Sequence, residues 1–342
     1  MSERKIKNME QFAEVSGISR PTVSKYFNDP GSVRKTTRGK IEKALERYDY
    51  RPNIFAINQN RKLTKTIGVV VPSLSDPFFA EIARNIEQRC IESGYRPALY
   101  SVHGDPSQEV DVLDGLRSLK PAGVLLAPLG RASDRKAIET FCRDVPTVLF
   151  DSNLEDLGAA FVGSDNYSFV SQSIDYLTRS GSAPTFFEMR SPANPNANKR
   201  RHAYLDKMEK LGLTPNVIQV EGEGWAFEEI GYRGAIRLLS SDELTSDTVL
   251  CSNDRLAIGF LAAAYEKGVK VGLKPDCTLR VASHDDHPFS RFTGPSLTTV
   301  AHDYDAVSNK SVEKLFDVIE GGESDVRSEM LFPARLILRA SA

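Results

Sequence analysis

The sequence predicts a small all-α domain followed by an α/β body built as two lobes of parallel sheet. Three observations carry that expectation. In the first 50 residues apolar side chains recur at helical spacing, whereas from Ile67 onward they gather into short runs such as Ile67-Gly68-Val69-Val70-Val71 that alternate with helical stretches. Charge divides at about the same place. Residues 1–63 hold 14 Lys/Arg against 7 Asp/Glu, a net of +7, and the remainder holds 30 against 39, a net of −9, so the overall −2 sums a basic head and an acidic body. A basic head suggests an anionic polymer as its partner.

Composition narrows the class. At 342 residues the chain suits two or three units of roughly 100–200 residues. Hydrophobic residues at 40% and charged residues at 26% exclude disordered and fibrous classes. Met1 to Asn8 are polar and basic, and no apolar run approaches the ~18 residues of a membrane span, so a cytoplasmic protein without a membrane partner is expected. Cys90, Cys142, Cys251 and Cys277 stand far apart without ligand spacing, and are expected to be reduced packing residues.

In the head, Met9, Phe12, Ala13 and Val15 mark a first helix. It is interrupted at Ser16-Gly17-Ile18-Ser19, where Gly17 allows the φ > 0 of a sharp turn and Ser19 suits an N-cap. The second helix spans about Arg20 to Asn28, with Pro21 in its first turn. Val23 and Phe27 face inward, while Arg20, Thr22, Ser24 and Lys25 point elsewhere. An apolar face backed by Arg, Lys and hydroxyl groups is what a reader of the DNA major groove requires. A third helix, about Thr36 to Tyr48, contributes Ile41, Ala44 and Leu45 and ends before Tyr50-Arg51-Pro52-Asn53.

The run from Phe12-Ala13 through Gly17-Ile18-Ser19-Arg20-Pro21-Thr22-Val23-Ser24-Lys25 to Asn28, with Thr37-Arg38 and Tyr50-Arg51-Pro52-Asn53, resembles the helix-turn-helix head of the LacI/GalR repressors. The resemblance implies that Arg20, Pro21 and Lys25 face base edges and that Thr22 and Ser24 hold phosphates, with Ser19, Asn28 and Asn53 in the same DNA-binding set. A family hinge helix usually carries Ala-Arg-x-Leu, whose leucine wedges into the minor groove. Here the stretch reads Ala56-Ile57-Asn58-Gln59, with polar Gln59 at the wedge position, so Ala56 and Gln59 are expected in an altered contact at the operator centre, in which either Gln59 hydrogen-bonds minor-groove acceptors or the hinge shifts and uses Ile57 or Leu63.

In the body, strands are expected near 67–71, 97–101, 123–127, 147–150, 160–162, 185–188, 217–220, 249–252 and 279–283, with a helix over about 77–93 and further helices between the strands. The stretch is too long for one such sheet, hence two lobes. Pro77-Phe78-Phe79, Asp151, Asp165-Asn166, Gly231-Tyr232, Asn253 to Gly259, Asp285, Ser296-Leu297-Thr298-Thr299 and Leu336 to Arg339 are similar to markers of periplasmic sugar-binding proteins and of the same repressors. The organisation that follows is a head over 1–50, a hinge over 51–66, and a sensing and dimerisation domain over 67–342. Within it, lobe 1 covers about 67–165 and 303–329, and lobe 2 covers 166–302 and 330–342.

Ligands of open parallel sheets bind beyond the carboxyl ends of the strands. The expected cleft residues are Asp76, Phe78, Phe79, Asp151, Asn194, Asn196, Asn198, Arg200, Trp225, Asn253 and Asp285. Aromatic faces over C–H faces, with Asp, Asn and Arg on hydroxyls, favour a polyhydroxylated ligand. His284-Asp285-Asp286-His287 has metal-ligating residue types, but adjacent strand residues point opposite ways, and neither metal, cofactor nor catalysis is expected. No Walker motif, nucleophile elbow or dinucleotide fingerprint is present. The resemblance implies a homodimeric repressor of carbohydrate uptake or catabolism, with a pseudo-palindromic operator and a sugar-like effector. A corepressor-dependent regulator of a non-sugar metabolite and a transport-type binding protein are the alternatives.

Overall fold

The computed structural model describes residues 6, 8–50, 64–321 and 327–342, which fall into two units, Met1–Thr64 and Lys65–Ala342. In the first, helices α1 (Met9–Ser16), α2 (Arg20–Asn28) and α3 (Lys35–Tyr48) surround Phe12, Val23, Val33, Ile41 and Tyr50. Phe12 stacks on Tyr50 with centroids 4.8 Å apart. Asn8 caps α1 by accepting from Gln11 N (2.9 Å), and Gly17 at φ 65° ends it. Val15 is exposed rather than part of the core, because the three-helix contact uses only the face carrying Phe12.

The second unit holds two sheets. The first has the order β11-β5-β4-β3-β1-β2, all parallel, from β1 (Thr66–Val71), β2 (Arg96–Ser101), β3 (Gly123–Leu126), β4 (Thr147–Phe150), β5 (Ala160–Ser164) and β11 (Ser328–Phe332). Helices α4 (Pro77–Glu92), α5 (Pro106–Leu119), α6 (Arg135–Asp144) and α11 (Tyr304–Ile319) cover it. Strand alternation sends Ile67, Val69 and Val71 into one core with α4 and α11, and Val70 into another with α5 and α6.

The second sheet, β7-β6-β8-β9, is also parallel: β6 (Thr185–Met189), β7 (Val217–Val220), β8 (Thr248–Cys251) and β9 (Arg280–Ala282). Helices α7 (Asn166–Ser180) and α8 (Asn196–Lys210) pack on one face, α9 (Phe227–Leu238) and α10 (Asp254–Glu266) on the other. Strands β10 (Thr299–Ala301) and β12 (Arg335–Ile337) form an antiparallel pair beside it.

The chain crosses between lobes three times: after β5, between β10 and α11, and between β11 and β12. The last crossing differs from the expected boundary after residue 329. β11 continues to Phe332 and pairs throughout with β5, so the break falls where that pairing ends.

α9 and α10 touch almost backbone to backbone. A Cβ at Gly231 would overlap the Leu256 carbonyl oxygen, and one at Gly259 would overlap that of Glu228. Gly259→Ala is therefore expected to lower stability by about 1–3 kcal/mol, the usual range for overpacking. Urea denaturation of the variant at the wild-type midpoint would contradict this close approach.

Candidate functional site

Each sheet places a topological switch at the cleft. In lobe 1 the chain leaves β1 toward β2 and β3 toward β4, and in lobe 2 it leaves β6 toward β7 and β8 toward β9. The loops beyond these strand ends diverge and open a crevice. The resulting cleft is lined from lobe 1 by Asp76, Phe78, Asp151 and Tyr304, and from lobe 2 by Asn194, Arg200, Phe227, Asn253, Arg255, Asp285 and His287.

On the lobe 1 side, Asp76 caps α4 through Phe78 N (3.0 Å), and its other carboxylate oxygen accepts from Arg255 Nη1 (3.1 Å) across the cleft. Asp151 follows β4 in the left-handed region at φ 60°. On the lobe 2 side, Asn194 Oδ1 accepts from Asn196 N (2.8 Å) at the start of α8, and Asn253 Oδ1 caps α10 through Leu256 N (2.8 Å). Both asparagines are thus oriented by backbone groups.

Arg200 is 3% exposed and gives all three faces of its guanidinium to other segments. Nε donates to Asn166 Oδ1 (2.9 Å), Nη1 to the Ser252 carbonyl (2.7 Å) and Nη2 to Asp285 Oδ1 (2.7 Å). Asp285 also meets His302 Nε2 at 3.0 Å, and His302 Nδ1 lies 2.8 Å from Ser164 Oγ. Burial holds the His302 pKa below the usual histidine range. Since a carboxylate only accepts, the neutral ring donates from Nε2 and accepts the Ser164 hydroxyl at Nδ1. Burial alone would raise the Asp285 carboxyl, but the Arg200 guanidinium and the His302 contact outweigh it and bring it to about 2.

Asp151 behaves oppositely. Burial pushes its carboxyl up to about 7 against the opposing charges of Lys199 and Arg200. Asn196 Nδ2 donates to its Oδ1 (2.9 Å) and carbonyl (3.2 Å), and its Oδ2 has no partner.

Seven of the eleven residues expected at the cleft line it, and four do not. Phe79 is 1% exposed and lies in the lobe 1 core, since its neighbour Phe78 takes the cleft face of α4. Trp225 packs between lobes, 6.0 Å from the Phe79 ring and against Gly104, which has no Cβ to obstruct the indole. Asn196 and Arg200 share a helix face four residues apart, so Asn198 between them turns away and accepts from Arg201 (3.2 Å). Asn196 itself is buried behind Asp151.

The residues missed were Phe227, Arg255, His287 and Tyr304. Arg255 left a trace in sequence: a cation in the first turn of a helix opposes the macrodipole and needs anions nearby, here Asp76 and Glu228. Tyr304 arrives from beyond a lobe crossing and hydrogen-bonds the Asp285 carbonyl (2.9 Å), which no local pattern announces. The four residues His284 to His287 lie in the loop beyond β9 rather than on a strand, and positive φ at Asp285 and Asp286 turns their side chains apart. His284 is buried near Ser173, Asp285 and His287 line the cleft, and Asp286 pairs with Arg339. Among the described residues no group of three or more His, Cys, Asp or Glu is placed to hold a metal.

In the head, Arg20, Pro21 and Lys25 are exposed on α2 while Val23 is fully buried. Thr22 and Ser24 are half-buried. Ser19 precedes the helix, but its hydroxyl pairs with Thr22 Oγ1 (2.8 Å) instead of capping a backbone N–H. Asn28 is the last residue of α2. The hinge residues Asn53, Ala56, Ile57, Gln59 and Leu63 lie outside the described residues. No helix among the described residues is long and apolar enough to cross a membrane.

The displaced carboxyls set a pH response. An Asp at about 7 in the fold and about 3.9 unfolded binds a proton that the unfolded chain lacks, so stability falls as pH rises through that window. Asp285, held down, works the other way and is lost only below about 4. Urea midpoints of Asp151→Asn are expected to fall less than those of the wild type between about pH 4 and 7. Parallel pH profiles would show that Asp151 is not protonated in the fold.

Two family models match the chain. The model described as bacterial regulatory proteins, lacI family, covers residues 8–53, and the periplasmic binding protein-like domain covers residues 174–342. The NTD biosynthesis operon regulator NtdR of Bacillus subtilis (strain 168) is 25% identical over 333 residues, spanning 97% of this chain and 99% of the relative. The HTH-type transcriptional repressor PurR of Histophilus somni (strain 129Pt) is 26% identical over 333 residues, spanning 97% and 98%. The crystal structure of the Lac repressor dimer bound to operator and the anti-inducer ONPF superimposes with a TM-score of 0.85 at 23% identity, covering 98% of this chain and 99% of that one. With residues 8–53 matched to those regulators, residues 174–342 to the binding-protein-like domain, and full-length regulators aligned over 97% of the chain, the chain belongs to the lacI family of bacterial regulatory proteins.

Proposed function

We propose that the protein is a cytoplasmic, sequence-specific transcriptional repressor that dimerises on a pseudo-palindromic operator and is controlled by a small polyhydroxylated effector, a sugar or sugar derivative. The observation that carries this reading is the pairing, in one chain, of a helix exposing Arg20, Pro21 and Lys25 with a body whose charged and aromatic groups converge in a cleft between lobes. Arg20 contacts a guanine edge, Pro21 offers an apolar face to a thymine methyl, Lys25 reaches a further base, and Thr22 and Ser24 hold phosphates. The cleft residues Asp76, Phe78, Asp151, Asn194, Arg200, Asn253 and Asp285 receive the effector, with Phe227, Arg255, His287 and Tyr304 completing the wall.

Control follows from linkage. Asp76–Arg255 and Asp151–Asn196 join the lobes, so a ligand seated among them biases their relative position, and a dimer translates that bias into head spacing. The coupling between sites is reciprocal, at about 1–3 kcal/mol. Operator DNA is therefore expected to change effector affinity by the factor, roughly 5–150-fold, by which effector changes operator affinity. Calorimetric titrations with and without operator measure it, and effector affinity indifferent to operator would defeat the allosteric reading.

Arg20→Ala is expected to reduce discrimination among operator variants by about 1–3 kcal/mol while keeping salt-dependent nonspecific binding. Gel shifts on a set of single-base operator variants test this. A variant ranking them as the wild type does would remove Arg20 from base reading.

A further inference from the structure

The carboxylates of the cleft are not equally answered. Asp285 is paired with Arg200 and His302, and Asp76 with Arg255, which Glu228 also engages through two contacts of 2.7 Å. Asp151 is 5% exposed and lines the cleft, yet no cation forms an ion pair with it among the described residues, and its Oδ2 accepts nothing. Lys199, whose charge acts on it through space, lies over the Phe161 ring, 5.5 Å from the centroid. Arg200 is committed to its three acceptors. Asn196, 2% exposed, anchors the Asp151 carboxyl from behind and leaves its own Oδ1 unpartnered. The site thus holds two neighbouring buried oxygens, Asp151 Oδ2 and Asn196 Oδ1, that accept nothing.

We propose that the effector is a hydroxylated amine, an amino sugar or a close analogue, whose ammonium group is received by Asp151. The inference rests on the cleft being the effector site. A sugar hydroxyl brings one donor for the two orphaned oxygens and no charge against which the Asp151 carboxyl, raised by burial, can ionise. An ammonium brings three donors and the missing positive charge, in a water-poor setting where a charge-assisted hydrogen bond is at its strongest. The remaining hydroxyls find Asn194, Asn253 and the paired carboxylates, and the C–H faces find Phe78, Phe227 and Tyr304. The same charge balance rejects phosphate esters and sugar acids, because both guanidiniums of the cleft are already engaged by carboxylates.

The test is calorimetric titration and thermal shift of the full chain near neutral pH. The probes are D-glucosamine, D-galactosamine, D-mannosamine and 3-amino-3-deoxy-D-glucose, each beside its neutral parent hexose, its N-acetyl form and the hexose 6-phosphate. At least one amine is expected to bind about tenfold or more tighter than its parent and its N-acetyl form, which removes the charge. Asp151→Asn should weaken that amine about tenfold and so remove most of its advantage over the parent hexose. The substitution keeps side-chain shape and tolerates the left-handed backbone, and the thermal midpoint of the unliganded variant confirms that it folds. A neutral hexose or 6-phosphate that binds as well as or better than the matched amine overturns the proposal while leaving the effector reading of the cleft intact. So does Asp151→Asn with undiminished amine affinity. Binding by no member of the panel overturns it as well. If the operator complex is then also indifferent to a small-molecule cell extract, the effector reading falls with it.

Discussion

The buried pair of Arg200 and Asp285 is the interaction on which the body depends. One guanidinium, almost without solvent, ties the first residue of α7, the loop after β8 and the loop after β9 to the cleft face of α8. Its carboxylate partner is shared with His302, which sits at the second lobe crossing and reaches back to Ser164 at the first. The floor of the cleft and two of the three crossings are therefore one polar network. Removing one partner of such a pair strands a buried charge, typically at about 3–5 kcal/mol, so the network is maintained as a unit. It also accounts for how Asp285 can sit at φ 118°, a backbone region that an L-residue rarely adopts unless its surroundings over-determine it.

Around that floor, sheet topology and close backbone approach set the shape. Both sheets reverse strand order at the cleft, so loops that would otherwise pack side by side diverge and leave room. On the far side of lobe 2, Gly231 and Gly259 bring α9 and α10 together closely enough to fix where α10 begins, and hence where Asn253 and Arg255 stand. Trp225, held against Gly104 and Phe79, joins the lobes from the side. Packing behind the cleft thus positions groups that line it.

Three aspartates at one cleft illustrate how environment divides one residue type among roles. Asp76 is consumed by a helix cap and an interlobe ion pair. Asp285 is consumed by Arg200 and His302, and its carboxyl is held at about 2. Asp151 has a similar depth of burial but only an amide as partner, and its carboxyl rises to about 7. The difference lies in which cations the fold places within reach, a property of tertiary structure alone.

What the sequence determined by itself was whatever depends on neighbours along the chain. Helical spacing around Phe12, Val23 and Ile41, the turn at Gly17 and the run Ile67 to Val71 act locally, and they specify the three-helix head and the parallel strands before any long-range contact forms. The same holds for the loop positions of Asp76, Asn194 and Asn253, each of which caps or turns its own backbone. Tertiary structure decided the rest. Helix phase separated Phe78 from Phe79 and Asn198 from its neighbours Asn196 and Arg200, and the absent side chain of Gly104 drew Trp225 out of the cleft wall. Arg255, His287 and Tyr304 joined the site from elements far apart in sequence, because burial, pairing and lobe crossing act through space, where the order of residues along the chain carries no signal.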